Sequence, residues 1–428
     1  MDKFIIHKSR LKGSVKISGS KNAALPIMAA TLLTDEKCVV SNVPDLMDIR
    51  TMIDILAVLG KKITFQDNVL YIESKRKKSY VAPYKLVSTM RASFCCLGPL
   101  LAKRKRAKVS LPGGCIIGVR PVDLHIKGLK ELGAKIIVDK GYCIGEAKKL
   151  QGSHVYLGGV FGSSVLATAN VLMAAVLTKG ETTIEYAACE PEIEALTLFL
   201  KKMGAVVSGE GTPLIKVRGV QSLGGCEFKI IPDRIEAGTF IAASLATDSP
   251  LTIKSANPLH LTSIIEASRM MGANITFDEK KNIFVKPKTL KPVNLTTLPY
   301  PGFPTDLQAQ FMTCLCLTKG ISLITEKVYP DRFMHVAELN RMGMSIQRNG
   351  PYSIIEGKGK LFGAEVMASD LRASAALVIA GMAAEGKTEL LRVYHIDRGY
   401  ERIEDKLRKL GAKITREKQR KQTKDRRF

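Results

Sequence analysis

The sequence predicts an α/β protein of two domains, in which six repeated units each bury one helix beneath β-sheet. Three observations predict this fold class: helix ends that recur at a long period, helical segments that are apolar on every side, and a length of 428 residues. That length exceeds the size at which one hydrophobic core usually divides, so three units are expected in each domain. The first domain is expected to end near the segment GGCEFKIIPDR.

The recurring helix end is an amphipathic segment that closes in Leu-Gly or Met-Gly and is followed by a β-prone run. The six copies read LAVLGKKITF, LKELGAKIIV, LKKMGAVVSG, SRMMGANITF, LNRMGMSIQR and LRKLGAKITR. Their glycines are residues 60, 133, 204, 272, 343 and 411, at spacings of 73, 71, 68, 71 and 68. Glycine supplies the left-handed conformation that ends many helices. The pattern therefore predicts six amphipathic helices, each leading into a strand.

The second recurring signal is a helical segment that is apolar almost all round. The six segments begin near residues 23, 92, 165, 238, 309 and 373. A helix that is apolar on every face has to be buried on every face. Alternating α and β elements are typical of an α/β fold, so the sequence predicts that these helices lie inside and that sheet covers them.

The composition is that of a globular protein, with 46% apolar and 25% charged residues. No run of eighteen apolar residues occurs, so membrane insertion is not expected. The first residues, MDKFIIHKSR, are too polar for a signal peptide, which predicts a cytoplasmic location. The nine cysteines show no C-x-x-C spacing, so reduced thiols are expected rather than a disulfide framework or a zinc site.

The net charge of +25 is compatible with either nucleic acid or small anions as ligands. Basic residues are spread along the chain and cluster only in the tail REKQRKQTKDRRF, which we interpret as disordered and solubilising. Tryptophan is absent and aromatic residues make up 6%, so few side chains could stack on bases. The sequence favours a basic cleft for small anionic substrates and no nucleic-acid partner.

Charged and hydroxyl side chains precede the six buried helices, whose first turns carry free N–H groups and attract anions. These residues are Lys21, Asn22, Arg91, Ser163, Ser164, Arg234, Glu236, Asp306, Asp370 and Arg372. Each has a simple structural interpretation: Ser164 and Asp306 are common helix caps, and Arg234 could be an ion-pair partner of Glu236. As a set at corresponding positions, they favour a shared substrate cleft between the domains. Arg398 also precedes the last amphipathic helix, as Arg120 does in the second unit.

The stretch LPGGCIIGVRPVDLH places Cys115 after two glycines and shortly before Arg120. Taken alone, these residues allow two interpretations of Cys115, as a reactive thiol on a mobile loop or as one more small apolar residue.

Five motifs together resemble a known family: SGSKNAALPIMAA, LPGGCIIGVRPVDLH, FPTDLQAQFM, DRFMHVAELNRMG and ASDLRASAALVIAGMAAEG. The chain is similar, from residue 3 to about 415, to the enolpyruvyl transferases that act on UDP-N-acetylglucosamine. The resemblance implies six βαβαββ units in an inside-out α/β barrel of two domains. It implies an N-terminal domain at 21–231 with a catalytic loop at about 111–122, a C-terminal domain of 1–20 plus 232–428, and an active site in the cleft between them.

The reaction implied is transfer of the enolpyruvyl group of phosphoenolpyruvate to the 3′-hydroxyl of UDP-N-acetylglucosamine, with release of phosphate. It would be the first committed step of peptidoglycan synthesis and would pass through a tetrahedral intermediate as the domains and loop close. The resemblance implies no cofactor, no metal and a monomer. Alternatives are a 3-phosphoshikimate 1-carboxyvinyltransferase and a non-catalytic basic scaffold that binds nucleic acid.

The resemblance also implies roles for individual residues. Cys115 would protonate the methylene carbon of phosphoenolpyruvate, form an adduct with it and react with fosfomycin, and Asp306 would accept the proton of the attacking hydroxyl. Asp370 and Arg372 would support turnover of the intermediate. Residues implied to bind phosphoenolpyruvate or shape its pocket are Lys21, Asn22, Arg91, Arg120 and Arg398. Residues implied to bind the sugar nucleotide are Pro121, Val122, Asp123, Leu124, Ser164, Val165, Asp306 and Val328.

Two positions depart from the family pattern. Leu166 stands where a glycine is common, which affects the expected diphosphate contact. Cys95 stands where a bulky aromatic residue is often found, which affects packing beside the sugar site.

Overall fold

The computed structural model describes residues 2–111 and 122–418, which form 24 strands and 13 α-helices. The strands are β1 (Asp2–His7), β2 (Gly13–Lys16), β3 (Cys38–Ser41), β4 (Lys61–Gln66), β5 (Val69–Ser74), β6 (Val81–Ala82), β7 (Arg106–Ser110), β8 (Lys135–Asp139), β9 (Tyr142–Glu146), β10 (His154–Tyr156), β11 (Glu181–Glu185), β12 (Val206–Ser208), β13 (Leu214–Arg218), β14 (Glu227–Lys229), β15 (Leu251–Lys254), β16 (Asn274–Phe277), β17 (Ile283–Lys286), β18 (Leu295–Thr297), β19 (Gly320–Glu326), β20 (Ser345–Asn349), β21 (Tyr352–Gly357), β22 (Glu365–Met367), β23 (Lys387–Leu391) and β24 (Lys413–Lys418). The helices are α1 (Lys21–Ala30), α2 (Met47–Val58), α3 (Tyr84–Val87), α4 (Leu97–Arg104), α5 (Asp123–Glu131), α6 (Val165–Ala175), α7 (Pro191–Lys202), α8 (Arg234–Ala246), α9 (Thr262–Met270), α10 (Gln308–Cys316), α11 (His335–Arg341), α12 (Leu371–Ala383) and α13 (Ile403–Lys409).

The chain divides into two compact units. The N-terminal unit comprises the described residues of Ile17–Arg234 together with Leu298–Pro304. The C-terminal unit comprises the described residues of Met1–Lys16, Ile235–Thr297 and Thr305–Phe428. Each unit contains three four-stranded sheets made from its own strands.

All six described sheets share one strand pattern. In each sheet one edge strand is parallel to its neighbour, and the other two neighbouring pairs are antiparallel. In the N-terminal unit the strand orders are β14-β3-β5-β4, β6-β7-β9-β8 and β10-β11-β13-β12. In the C-terminal unit they are β16-β17-β15-β2, β18-β19-β21-β20 and β22-β23-β1-β24. The sheets are therefore mixed, and the protein is of the α/β class as the sequence predicts.

The repeats are completed by strands that are distant in sequence. β14 supplies the parallel partner of β3, and β2 supplies the parallel partner of β15. β1 lies between β23 and β24 and is antiparallel to both. One sheet of the N-terminal unit and two sheets of the C-terminal unit are thus completed by segments that lie far apart along the chain.

The prediction of six buried helices is confirmed. Almost every residue of α1, α6, α8, α10 and α12 is buried, as are the first six residues of α4. The structure adds one detail, because α4 and α10 follow the 3₁₀ turns Arg91–Cys96 and Thr305–Leu307. Arg91 and Asp306 therefore stand in these turns rather than at α-helix starts.

The predicted glycine helix ends are also confirmed. Glycines 60, 133, 204, 272, 343 and 411 all have positive φ, between 93° and 103°. Each follows an amphipathic helix and precedes a strand, so an L-residue at these positions would be strained. In the described part of the chain, no helix is long and apolar enough to cross a membrane.

Candidate active site

Lys21 is the first residue of α1 in the N-terminal unit. The helix is capped by Ser20, whose hydroxyl accepts a hydrogen bond from the amide of Ala23 at 3.3 Å. The Lys21 Nζ atom lies 2.9 Å from Oδ2 of Asp48, and both side chains are at least nine-tenths buried. Asn22 follows on the same turn and is partly buried. The helix start therefore holds an ammonium group whose charge is balanced by a carboxylate from the first turn of α2.

Ser164 and Val165 mark the start of α6. The Ser164 hydroxyl accepts a hydrogen bond from the amide of Ala167 at 3.3 Å, so Ser164 is a helix cap as well as a candidate ligand contact. The two departures from the family pattern lie beside this start, since the Cys95 Sγ atom is 4.0 Å from the carbonyl oxygen of Leu166. The small residue Cys95 therefore neighbours the larger residue Leu166.

Arg91 lies close enough to His125 to influence its protonation. Burial and, to a smaller extent, the positive charge of Arg91 together lower the pKa of His125 to about 3. The His125 Nδ1 atom lies 2.8 Å from the side-chain nitrogen of Asn170 on α6, which also donates to the carbonyl oxygen of Phe94. His125 is therefore a neutral, buried residue that joins α5 to α6 rather than an acid or base.

The predicted uridine contacts lie at the start of α5. Val122 precedes the helix, Asp123 is its exposed first residue and Leu124 is the second. The Leu124 side chain lies against Gly159, where an added Cβ would come within 3.0 Å of it. The predicted residues Cys115, Arg120 and Pro121, and most of the loop expected at about 111–122, lie outside the described residues.

In the C-terminal unit, Asp306 lies between two guanidinium groups. Its Oδ1 atom accepts a hydrogen bond from Arg332 at 2.7 Å, and its Oδ2 atom accepts one from Arg372 at 2.9 Å. Both arginine side chains are more than nine-tenths buried, whereas that of Asp306 is 26% exposed. Asp370 caps α12 by accepting hydrogen bonds from the amides of Arg372 and Ala373. The fold therefore brings three of the predicted residues together.

The two arginines determine the protonation of Asp306. Burial alone would raise the pKa of this carboxyl, but the positive charges of Arg372 and Arg332 and their hydrogen bonds hold it well below its usual range. The carboxylate is consequently ionised at neutral pH and accessible on one side. With both guanidinium groups in place it is a weak base.

Glu326, the last residue of β19, accepts hydrogen bonds from segments that lie next to Asp306. The side chain is fully buried. Its Oε1 atom accepts hydrogen bonds from the Thr297 hydroxyl at 2.6 Å and from the amides of Val328 and Tyr329 at 2.9 Å each. Its Oε2 atom accepts one from the Thr305 hydroxyl at 2.9 Å. One buried carboxylate therefore holds both the turn that carries Val328 and the residue before Asp306.

Arg398 ends the 3₁₀ turn Val393–Arg398 and is partly exposed. Burial lowers the pKa of His395, the charge of Arg398 lowers it further, and the charge of Asp370 acts in the opposite direction. Both Arg398 and Asp370 therefore lie within electrostatic range of His395. In residues 2–111 and 122–418, no group of three or more His, Cys, Asp or Glu side chains is placed to hold a metal ion.

The structure pairs Arg234 with Glu192 of α7, which is a different partner from the expected Glu236. The Arg234 Nε atom lies 3.0 Å from a carboxylate oxygen of Glu192, and Glu236 accepts a hydrogen bond from Lys406 at 2.5 Å.

Comparison with known proteins identifies the family. The model of the family described as EPSP synthase (3-phosphoshikimate 1-carboxyvinyltransferase) matches residues 5–407. The chain belongs to the EPSP synthase family. Among curated members, it is 51% identical over 419 residues to UDP-N-acetylglucosamine 1-carboxyvinyltransferase 2 of Carboxydothermus hydrogenoformans, covering 97% of this chain and 99% of that one. It is 50% identical over 417 residues to UDP-N-acetylglucosamine 1-carboxyvinyltransferase of Methylacidiphilum infernorum, with the same coverage.

Two solved structures are similar to this chain in fold. The enolpyruvyl transferase NikO from Streptomyces tendae superposes with a TM-score of 0.87 at 23% identity, covering 97% of this chain and 98% of that one. EPSP synthase from Acinetobacter baumannii gives a TM-score of 0.75 at 20% identity, covering 98% of this chain and 100% of that one. At these identities the likeness supports the two-domain α/β fold.

Three site residues were missed by sequence reasoning: Asp48, Arg332 and Glu326. Arg332 lies within the family motif DRFMHVAELNRMG, which was the one available signal for it. Glu326 ends the apolar strand segment ISLITE, where a carboxylate has to find buried partners. Asp48 lies in the first turn of an amphipathic helix, where an acidic residue is common for helix stability alone.

Proposed function

We propose that the chain transfers the enolpyruvyl group of phosphoenolpyruvate to the 3′-hydroxyl of UDP-N-acetylglucosamine and releases phosphate. The observation that carries this proposal is 51% identity, over 97% of the chain, to a relative named for that activity. The chain is on this basis an enzyme of the transferase class. The charged groups of the candidate site suit its anionic substrates.

Phosphoenolpyruvate binds, in this proposal, through Lys21, Arg120 and Arg398, in a pocket shaped by Asn22 and Arg91. Ammonium and guanidinium groups match the oxygens of a phosphate and a carboxylate. Lys21 is held by Asp48 at 2.9 Å, so an anionic substrate has to compete with that carboxylate for the ammonium group.

The sugar nucleotide is proposed to bind at the start of α5, at the start of α6 and at the turn held by Glu326. The residues involved are Pro121, Val122, Asp123, Leu124, Ser164, Val165 and Val328. The free amides at the α6 start suit a diphosphate. Leu166 has a larger side chain than the glycine that is common at this position. The Cys95 thiol lies 4.0 Å from the Leu166 carbonyl oxygen.

Asp306 is proposed to accept the proton of the 3′-hydroxyl as that oxygen attacks C2 of phosphoenolpyruvate. Because Arg372 and Arg332 hold the pKa of Asp306 well below its usual range, the carboxylate has to lose one of these contacts before it can take a proton. A substrate phosphate or carboxylate that draws one guanidinium away would have this effect. Asp370, through the cap that positions Arg372, supports turnover of the tetrahedral intermediate.

Cys115 is proposed to deliver a proton to the methylene carbon in the same addition step. Loss of a proton from that carbon and departure of phosphate then give the enolpyruvyl product. The cysteine thiolate is also the group that would form an adduct with phosphoenolpyruvate and be alkylated by the epoxide fosfomycin. A loop that closes over the substrates would exclude water from this chemistry.

We further propose that the three sheets of each unit surround its buried helices as an inside-out barrel, with substrates in the cleft between the domains. The enzyme would act as a monomer in the cytoplasm, at the first committed step of peptidoglycan and hence cell-wall synthesis.

Phosphate release from phosphoenolpyruvate tests the proposal. Release is expected with UDP-N-acetylglucosamine as acceptor and not with shikimate 3-phosphate. The opposite preference would favour the activity in the family description, 3-phosphoshikimate 1-carboxyvinyltransferase. No release with either acceptor, combined with strongly salt-dependent binding of nucleic acid, would favour a non-catalytic scaffold.

A further inference from the structure

A pair of cysteines in the N-terminal unit has no part in the proposed reaction. Cys38 is the first residue of β3, and Cys226 immediately precedes β14. The two strands are parallel neighbours with Glu227 opposite Val39, and the Val39 amide donates a hydrogen bond to the Cys226 carbonyl oxygen at 2.9 Å. Continuing this register by one residue sets Cys226 opposite Cys38.

The strand geometry suits a covalent link between the two sulfurs. Paired residues of neighbouring strands project to the same face of a sheet, and the strands lie about 4.8 Å apart. Disulfides need Cα atoms separated by about 4.4–6.8 Å. The two side chains are close enough for Cys226 to lower the pKa of Cys38, and both cysteines are free thiols. The Cys226 thiol also donates to the carbonyl oxygen of Phe199 at 4.0 Å.

A buried ammonium group lies near the pair. Lys61 is 1% exposed, and its Nζ atom donates to the carbonyl oxygen of Thr34 and to the hydroxyl of Ser74, each at 2.8 Å. The hydrogen bond from Cys226 lowers the pKa of Cys38 to about 7, and the charge of Lys61 also lowers it, against the effect of burial. Cys38 therefore ionises more readily than an isolated buried thiol would.

Reagents in solution reach this pair through Cys226. Cys38 is fully buried, whereas Cys226 is partly exposed and lines a depression of about 570 Å³. Charged side chains of both signs, Glu36, Lys37 and Glu227, line the same depression. A small polar disulfide can therefore approach Cys226, with Cys38 directly behind it.

We propose that Cys38 and Cys226 are a reactive dithiol that closes to an intramolecular disulfide by exchange with a small-molecule disulfide. In the first step the pair gives up one proton to solvent, which leaves the charge mainly on Cys38. The remaining proton moves from Cys226 to Cys38, the Cys226 thiolate attacks a sulfur of the external disulfide, and one thiolate leaves. In the second step Cys38, as its thiolate, attacks the Cys226 sulfur of the mixed disulfide and releases the second thiolate. The protein loses two electrons, the external disulfide gains them, and the two thiol protons pass to the leaving thiolates.

The test uses the full chain, incubated with oxidised glutathione, denatured in acid, and then alkylated and mapped by mass spectrometry. We expect a peptide pair linked through Cys38 and Cys226, so that these two of the nine thiols of the sequence are lost with no glutathione left on either. Cys38→Ser should leave glutathione attached to Cys226, and Cys226→Ser should leave Cys38 unmodified. Cys189→Ser, which removes another partly exposed thiol, should retain the link.

Phenylarsine oxide gives a second readout, because it joins two adjacent thiols with release of one water and needs no oxidant. Wild-type chain should hold it at these two residues, and either serine variant should lose it. Glutathione that remains on Cys226 in the wild type, or a disulfide that forms between other cysteines while these two stay reduced, would overturn the proposal. The wild-type map alone decides this, even where a variant fails to fold.

Discussion

Replacing Glu326 tests whether one buried carboxylate organises the Asp306 side of the site. Glu326→Ala removes the acceptor for the hydroxyls of Thr297 and Thr305 and for the amides of Val328 and Tyr329. A buried donor left without a partner costs about 1–3 kcal/mol, and relief of the carboxylate's own desolvation offsets part of the total. We expect the free energy of unfolding to fall by about 3–5 kcal/mol.

Glu326→Gln removes the negative charge of this side chain and keeps nearly the same shape, so it separates the effects of the two. The amide oxygen can keep the three hydrogen bonds now made to Oε1, while the amide nitrogen turns the acceptor for the Thr305 hydroxyl into a donor. The loss of stability should be only about 1–2 kcal/mol. Because Thr305 precedes Asp306, kcat should fall about tenfold, which corresponds to about 1.4 kcal/mol of activation free energy.

Urea unfolding followed by circular dichroism measures the first effect, and phosphate release measures the second. Glu356→Gln is the matched control, since Glu356 is an exposed residue of β21 in the same sheet. It should change stability by less than about 0.5 kcal/mol and leave kcat unaltered. If Glu326→Gln behaves like this control in both assays, Glu326 does not position the site.

Three further predictions concern the charged groups and the thiol of the site. Arg332→Gln removes one of the two cations that lower the pKa of Asp306, so the acid limb of kcat/KM should move up by about one pH unit, whereas Arg332→Lys should leave it near wild type; an unmoved limb in Arg332→Gln would contradict the assignment. Asp48→Asn leaves the buried ammonium of Lys21 without its carboxylate, so stability should fall by about 3 kcal/mol and the KM for phosphoenolpyruvate should change, both measurable on purified protein. Cys115→Ala should abolish phosphate release and fosfomycin labelling, whereas Cys115→Asp should keep turnover and resist labelling; unchanged rates in the alanine variant would refute the role of the thiol.

The repeat architecture could be predicted from sequence because its signals are local. A glycine at a helix end and a helix apolar on all sides each report their own environment, and both recur six times. The 3₁₀ turns before α4 and α10 gave no such signal, since Arg91 and Asp306 are compatible with either kind of helix start. The pairing of β1 between β23 and β24 depends on contacts between opposite ends of the chain, which no local pattern contains.

The site itself was predictable only in part, because its properties also depend on contacts between segments that are distant in sequence. Helix starts indicate which side chains can meet an anion, but the proton affinity of those side chains depends on partners from other elements. Asp306 illustrates the difference: the family resemblance implies that it is a general base, and its two arginine neighbours make it a weak one.

A weak base between two guanidinium groups constrains the order of events in the proposed reaction. If the sugar hydroxyl arrived first, Asp306 would accept the hydroxyl proton only weakly, because its two carboxylate oxygens already accept hydrogen bonds from Arg332 and Arg372. If an anionic substrate first draws Arg332 or Arg372 away, the pKa of Asp306 rises towards its usual range and proton transfer becomes favourable. The carboxylate would therefore become an effective base only when the site is filled, so the substrate that reacts would also complete the catalyst.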